Sequence, residues 1–357
     1  MAETAAVGAP IQLPVINISE PNPTVGKAMI DAAAKYGFLY IDSEGCGIPV
    51  EDVDLAFDMS KRFFSAPREE KETCAIGPNN RGWTDMHKET LDPSNQRTGD
   101  FKEGMNFGEF KDGKAQQPLP KTLQPHEPDI NRFTNLCRAT CDKILTLLAL
   151  GLDIPPTWFT TRHDPTTGPS GCTLRFLHYP SLSHPSSTTY QHGTDVRAGA
   201  HSDYGSITLL FQLPGQPGLE ILTPENEWSP VPVWPESSSS SSPSSSNNRL
   251  SFPPILINIG DLLSYWTNGL LKSTVHRVIF PPEEQAQKKD RYSIAFFCHP
   301  VNSTELVPVP SELVAKRRVL DHVGPDPESR ALTAKEHLAG RLAATYGFRK
   351  EEYQSET

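Results

Sequence analysis

The 357-residue chain lacks paired cysteines and long apolar runs, and both absences exclude classes of protein. None of its six cysteines forms a CxxC pair, so neither a disulfide scaffold nor a zinc knuckle is indicated. A membrane-spanning helix needs about 18 consecutive apolar residues, and no such run is present. Residues 1–6 lack the basic and apolar parts of a signal peptide. We therefore expect a cytoplasmic protein.

Positive charge is also in deficit. Lysine and arginine total 33 against 43 aspartates and glutamates, which gives a formal net charge of −10. An acidic chain without a basic patch is a poor partner for nucleic acid. We expect neither a nucleic-acid nor a membrane partner, and the composition leaves the oligomeric state open.

The pattern along the chain predicts an α+β protein. Helical periodicity occurs at 23–36, 50–65, 129–151 and 331–346, whereas short β-rich runs separated by Gly, Pro and Ser occupy 171–300. Such runs are typical of an antiparallel jelly-roll, a double-stranded β-helix. We predict a helical N-terminal portion, a jelly-roll core and a C-terminal helix. The predicted boundaries are a flexible N-terminus at 1–12, an N-terminal helical and strand region at 13–165, a catalytic core at 166–305 with a serine-rich insertion at 236–248, and a C-terminal segment at 306–357.

Two histidines and a carboxylate form a candidate metal site. His201 and Asp203 are two residues apart, so on an extended strand both side chains would point to one face and bind one ion. His276 lies far downstream within a β-rich run, 274–280, which would have to return to the same place. Two histidines with one carboxylate leave coordination positions free for substrates and O2.

A His-x-Asp triplet alone is weak evidence. The chain has eleven histidines, and His87-Lys88-Glu89 is a second triplet of the same kind. Alternatives are a structural histidine, a zinc hydrolase with the same ligand types, and a binding module without catalysis.

Arg291 and Ser293 supply a second element. Alternation along a strand at 290–297 puts both side chains on one face, where a guanidinium and a hydroxyl can bind one carboxylate. A dicarboxylate could bind a metal through its 2-oxo acid end and place its far carboxylate here.

The chain resembles the isopenicillin N synthase-like family of Fe(II)- and 2-oxoglutarate-dependent dioxygenases, from about Leu13 to about Pro300. The motifs that carry the resemblance lie at 13–18, 34–41, 63–71, 81–83, 100–108, 258–269 and 291–293. By position, the resemblance implies that His201, Asp203 and His276 bind Fe(II).

The resemblance also implies a cosubstrate site. Arg291 and Ser293 would bind the distal carboxylate of 2-oxoglutarate, and Tyr179 matches a tyrosine that often binds the same group. Leu177 departs from the pattern, since many relatives carry a polar residue there. The implied reaction decarboxylates 2-oxoglutarate with O2 and oxidises a C–H bond by hydroxylation, desaturation or ring rearrangement. A related oxidase that does not use 2-oxoglutarate is the nearest alternative.

For the substrate we expect a small organic metabolite, as in specialised metabolism. Phe297, Phe211, Met105 and Phe107 are the candidate substrate contacts.

Overall fold

The computed structural model describes residues 8–191, 194–235, 252–280, 288–321, 324–325 and 330–346. The predicted serine-rich insertion lies outside these described residues, as do residues 1–7 of the predicted N-terminus. The strands are β1 (Val15–Ile16), β2 (Phe38–Ile41), β3 (Gly82–Thr84), β4 (Glu103–Phe107), β5 (Phe110–Lys111), β6 (Lys114–Ala115), β7 (Thr173–Tyr179), β8 (Ala198–His201), β9 (Ile207–Gln212), β10 (Leu219–Leu222), β11 (Trp228–Pro230), β12 (Ile255–Ile259), β13 (His276–Val278) and β14 (Arg291–Cys298). The helices are α1 (Pro23–Lys35), α2 (Ser43–Cys46), α3 (Val50–Phe64), α4 (Arg68–Glu72), α5 (Glu127–Gly151), α6 (Asp261–Trp266), α7 (Glu312–Asp321) and α8 (Ala334–Tyr346).

Two sheets form the barrel. The large sheet has the order β1-β2-β12-β9-β14-β7-β4-β3, and the small sheet has the order β11-β10-β13-β8. Side chains from both sheets meet in one apolar cluster, which includes Tyr40, Leu177, Leu219 and Val278. The small sheet therefore covers one face of the large sheet, and the expected jelly-roll with α+β composition is confirmed.

Helices cover the opposite face of the large sheet. The side chain of Asn22 caps α1 by accepting a hydrogen bond from the Val25 N–H. Pro23, in the first turn, has no backbone N–H and so leaves no donor without an acceptor. In α5 an apolar stripe that includes Cys137 and Cys141 is fully buried. These helices pack on residues such as Phe211 and Phe296 in a second, larger core.

The N-terminal region contributes strands to both edges of the large sheet. β1 pairs in parallel with β2, and β2 pairs with β12 at one edge, whereas β4 pairs with β7 at the other. The N-terminal region is thus part of the barrel wall, and its boundary at 165 stays a prediction.

No helix among the described residues has the length and apolar character needed to cross a membrane.

Candidate active site

The three expected metal ligands converge. Asp203 Oδ1 lies 3.9 Å from His201 Nε2 and 3.8 Å from His276 Nε2. All three donor atoms lie within 4.8 Å of one another. This arrangement suits one ion bound on one side, with the other side open.

Strand pairing brings the histidines together. His276 on β13 is directly opposite His201 on β8, and their ring centroids are 4.3 Å apart. Asp203 differs from expectation, because β8 ends at His201 and the aspartate lies in the loop beyond it. The Asp261 N–H donates to the Asp203 carbonyl at 2.7 Å, which holds that loop in place.

Hydrogen bonds set the tautomer of both histidines. His201 Nδ1 donates to the Gly199 carbonyl at 2.7 Å, and His276 Nδ1 donates to the Thr274 carbonyl at 3.2 Å. Each Nε2 is therefore left with a lone pair that faces the site. Burial, together with His276, lowers the pKa of His201 to about 3, so this imidazole is neutral at neutral pH.

The carboxylate is held through its other oxygen. Thr208 Oγ1 and Asn258 Nδ2 both donate to Asp203 Oδ2 at 2.7 Å, which leaves Oδ1 for the metal. Burial alone would raise the pKa of Asp203, but the two histidines and these hydrogen bonds outweigh it and lower the pKa. The donor set therefore fits a divalent cation such as Fe(II).

The expected cosubstrate residues also meet. Arg291 Nη1 donates to Ser293 Oγ at 3.3 Å, and the Arg291 guanidinium lies 4.9 Å from the centre of the Tyr179 ring. Pairing between β14 and β7 explains this, because Tyr179 is directly opposite Arg291 and Leu177 is opposite Ser293.

The expected cosubstrate residues include a buried cation, Arg291. Arg291 is 2% exposed, and among the described residues it has no carboxylate within ion-pair distance. Arg197 is 1% exposed and donates to the Pro180 and Lys289 carbonyls, both at 3.4 Å. Burial and the neighbouring Arg291 lower the pKa of Arg197 to about 9. The buried Arg291 guanidinium, which has no paired carboxylate in the described part of the chain, favours an anionic ligand such as a carboxylate of 2-oxoglutarate.

Two cavities meet at the triad. The inner cavity, of about 580 Å³, extends from the triad to Arg291 and Ser293. The outer cavity, of about 850 Å³ including space open to solvent, extends from His201 and Asp203 towards α8. Both are lined by Leu91, Arg175, His201, Asp203 and Phe297.

Of the four expected substrate contacts, only Phe297 lines these cavities. Phe211, Met105 and Phe107 are buried in the core beneath the helices. Alternation explains the correction: Thr208 and Leu210 of β9 line the inner cavity, so Phe211 faces the other way. On β4, Asn106 lines the outer cavity, so Met105 and Phe107 face the core.

Several residues at the site were not singled out from the sequence. Asp100 accepts a hydrogen bond from the Gly199 N–H at 3.0 Å and pairs with Lys102, which also contacts Glu89 at 2.8 Å. This buried network supports the strand that carries His201. Asp100 and Lys102 lie in a motif noted in the sequence, and Glu89 is in the His-x-Glu triplet, but neither pattern indicates this contact.

The barrel and its ligand set together define a class of protein, the non-haem iron oxygenases. Family models match two parts of the chain: residues 13–127 match the N-terminal region of non-haem dioxygenases of morphine synthesis, and residues 244–300 match the 2OG-Fe(II) oxygenase superfamily.

Relatives extend the match over nearly the whole chain. The UPF0676 protein C1494.01 of Schizosaccharomyces pombe is 33% identical, covering 95% of this chain and 94% of its own. The 2-oxoglutarate-Fe(II) type oxidoreductase ppzD of Metarhizium rileyi is 30% identical, covering 92% and 88%. A full-length Neurospora crassa protein, crystallised with α-ketoglutarate and thymine, has a TM-score of 0.73 and 27% identity, covering 96% and 100%.

The chain belongs to the 2-oxoglutarate-Fe(II) oxygenase superfamily. It is a dioxygenase that uses Fe(II), 2-oxoglutarate and O2 to oxidise a small organic metabolite. The oxidase that does not use 2-oxoglutarate is not favoured, because the matching family model and the ppzD relative are both named for 2-oxoglutarate and Fe(II).

Proposed function

We propose that His201, Asp203 and His276 bind the Fe(II), and that Arg291, Ser293 and Tyr179 bind the distal carboxylate of 2-oxoglutarate. The observation that carries this assignment is the inner cavity, which joins three converging metal donors to a buried cation without an acid among the described residues. A dicarboxylate that lies along this cavity can reach both ends.

Bound Fe(II) and 2-oxoglutarate supply the oxidation itself, in which O2 converts the 2-oxo acid to succinate and CO2 and a substrate C–H bond is oxidised. The protein positions the reactants and excludes water. Thr208 and Asn258 fix the Asp203 carboxylate, and the Gly199 and Thr274 carbonyls fix the imidazoles. The apolar side chains of Leu177, Leu219 and Val278 enclose the inner cavity.

We further propose a substrate of specialised metabolism, a cytosolic location, and no nucleic-acid or membrane partner. The fungal ppzD relative supports the first proposal. All six cysteines are free and buried, which suits a reducing compartment. The domain boundaries at 12, 165 and 305 belong to the same proposal.

The test is anaerobic reconstitution with Fe(II), followed by addition of 2-oxoglutarate and O2. We expect O2 uptake and succinate formation that need both Fe(II) and 2-oxoglutarate and stop when Zn(II) replaces iron. Because uncoupled turnover occurs without a substrate, the assay does not require its identity. No succinate above the metal-free control would overturn the assignment.

A further inference from the structure

The C-terminal helix α8 covers part of the outer cavity. Leu338 and Leu342 of this helix line the cavity, together with Ser202 and Tyr204, the two neighbours of Asp203 in the chain. The helix and the loop that carries the metal ligand therefore meet over the same space. Whatever holds α8 in place also sets the shape of the outer cavity beside the metal position.

The start of α8 and its later turns are held in different ways. At the start, the N–H groups of Ala334 and Lys335 donate to backbone carbonyls in the segment 302–304, at 2.8 and 3.1 Å. In the later turns, three apolar side chains form a small cluster with Tyr204, separate from the two larger cores: Leu338, Ala339 and Leu342. A cluster of this size buries little apolar surface, so a polar contact in these turns can decide whether the helix stays docked.

Arg341 makes such a contact. Its Nη2 lies 2.6 Å from Asp261 Oδ2 and donates to Ser202 Oγ at 3.4 Å. The guanidinium also lies 5.4 Å from the centre of the Tyr204 ring. The Arg341 side chain is 42% exposed and the Asp261 side chain 17%, so water screens this ion pair only in part. One arginine thus connects α8 to the residues on both sides of Asp203.

Asp261, the first residue of α6, connects the same ion pair to the metal ligand. Its carboxylate accepts a hydrogen bond from Ser202 Oγ at 3.1 Å, and its backbone N–H donates to the Asp203 carbonyl at 2.7 Å. The next N–H, that of Leu262, donates to the Tyr204 carbonyl at 3.3 Å. The start of α6 therefore holds three consecutive residues of the loop, and its first carboxylate is the one that α8 binds.

We propose that Arg341 is a positioning residue that couples α8 to the metal ligand Asp203, so that metal binding and docking of α8 over the outer cavity stabilise each other. The inference rests on the proposed function for the role of Asp203. When α8 is docked, Arg341 holds Ser202 and the Asp261 carboxylate, and these keep Asp203 beside the two histidines. A bound metal favours the same arrangement, because coupling between two binding events is reciprocal. A substrate that contacts α8 in the outer cavity favours it as well.

Hydrogen exchange followed by mass spectrometry tests the coupling, with Fe(II) alone as the probe, under anaerobic conditions and without 2-oxoglutarate. Exchange in α8 measures how often the helix opens. In the native protein, saturating Fe(II) should slow exchange of the segment 337–346 by about three- to tenfold, the effect of one partly exposed charge-assisted contact. Unchanged exchange in this segment with Fe(II) bound would overturn the proposal.

Three variants locate the coupling. Arg341→Gln should remove most of the slowing by Fe(II) and lower iron affinity by the same factor, because the coupling is reciprocal. Arg341→Lys keeps the charge and should retain part of the slowing. Arg330→Gln is the matched control, since Arg330 binds Glu336 at 2.7 Å in an ion pair of the same kind near the start of α8. It should leave the slowing by Fe(II) unchanged. Equal slowing in Arg341→Gln and the native protein would overturn the proposal.

Failure of the proposed function gives a different result. Fe(II) binding to the native protein and to His276→Ala is measured first, and equal binding, or none to the native protein, contradicts the ligand assignment. The metal-free proteins then still test the contact. Arg341→Gln should speed exchange at 198–206 as well as in α8, whereas Arg330→Gln should speed it in α8 alone. Equal exchange at 198–206 in these two variants would overturn the proposal.

Discussion

The inner and outer cavities share the metal site but are built differently. Strands of both sheets line the inner cavity, where a buried arginine and the ligands occupy fixed positions. The outer cavity is enclosed by the turn at 79–81, the residues 170–175 and the helix α8. The inner cavity is thus built mainly from strands of the two sheets, whereas a turn and a helix complete the outer cavity.

The largest effect is expected from removal of a proposed metal ligand, since both cavities share the metal site. His276→Ala should abolish iron binding and 2-oxoglutarate turnover, because only two of the three protein donors to the metal would remain. Metal content after reconstitution and succinate formation measure the two effects. His184→Ala, at an exposed histidine, is the control and should retain both. Full iron loading in His276→Ala would contradict the ligand assignment.

A second variant separates the two ends of the inner cavity. Arg291→Ala should weaken 2-oxoglutarate binding by roughly 10- to 100-fold while iron binding is retained, since a buried charge-assisted contact is lost. The 2-oxoglutarate affinity of Arg291→Lys should lie between those of Arg291→Ala and the native enzyme, because lysine restores the charge without the planar pair of N–H donors. The dissociation constant of 2-oxoglutarate, measured anaerobically by calorimetry, checks this. Unchanged affinity in Arg291→Ala would place the cosubstrate elsewhere.

A smaller effect on iron affinity is expected from Thr208, which contacts the Asp203 carboxylate and not the metal position itself. Thr208→Val removes the hydroxyl that donates to Asp203 Oδ2 but keeps the shape of the side chain. Iron affinity should fall by about tenfold, the lower end of the range for partners of metal ligands. Thr161→Val, at an exposed threonine, should have no effect on a competition titration with a metal chelator. Equal affinities in the two variants would mean that this hydrogen bond does not support the site.

The smallest effect concerns stability outside both cavities. His178 contacts Glu103 at 2.9 Å and Asp290 at 3.1 Å and stacks on Tyr292. Burial alone would lower the pKa of His178, but the two carboxylates outweigh it and raise the pKa above 6.5. The ion pairs therefore stabilise the fold fully below the unfolded pKa, and the stabilisation is lost as pH rises through the folded pKa.

His178→Gln tests this contribution. The difference in unfolding free energy between the native protein and the variant should be largest below about pH 6.5, the ordinary histidine pKa, and should shrink as the pH rises above it. Denaturant titrations at several pH values measure it, with the metal-free protein throughout. A difference that is constant or grows with pH would contradict the raised pKa.

The sequence was sufficient to predict the helices α1, α3, α5 and α8, the barrel and the convergence of the three proposed metal ligands, but not the helices α2, α4, α6 and α7. Helical periodicity located α1, α3 and α5 to within about two residues, because each buries an apolar stripe. The convergence of His201 and His276, the proposed metal ligands, was predicted from shared motif order, which periodicity alone does not give.

The outer cavity could not be predicted in the same way. Arg81 and Arg175 are far apart in sequence and line the same cavity because β3, which follows Arg81, and β7 flank β4. The room for each comes from a glycine, Gly104 on β4 and Gly108 just past its end, and these glycines have this meaning only once the strand pairing is known. The same holds for Phe211, because alternation places it in the core only once the structure shows that Thr208 lines the inner cavity.

The division of the site into two cavities is tested most directly by an anaerobic crystal structure of the enzyme with Fe(II) and 2-oxoglutarate. The metal should be bound by His201 Nε2, Asp203 Oδ1 and His276 Nε2, with the distal carboxylate of 2-oxoglutarate on Arg291 and Ser293 and the outer cavity still open. A metal held by other residues, or 2-oxoglutarate lying against Arg81 in the outer cavity, would contradict it.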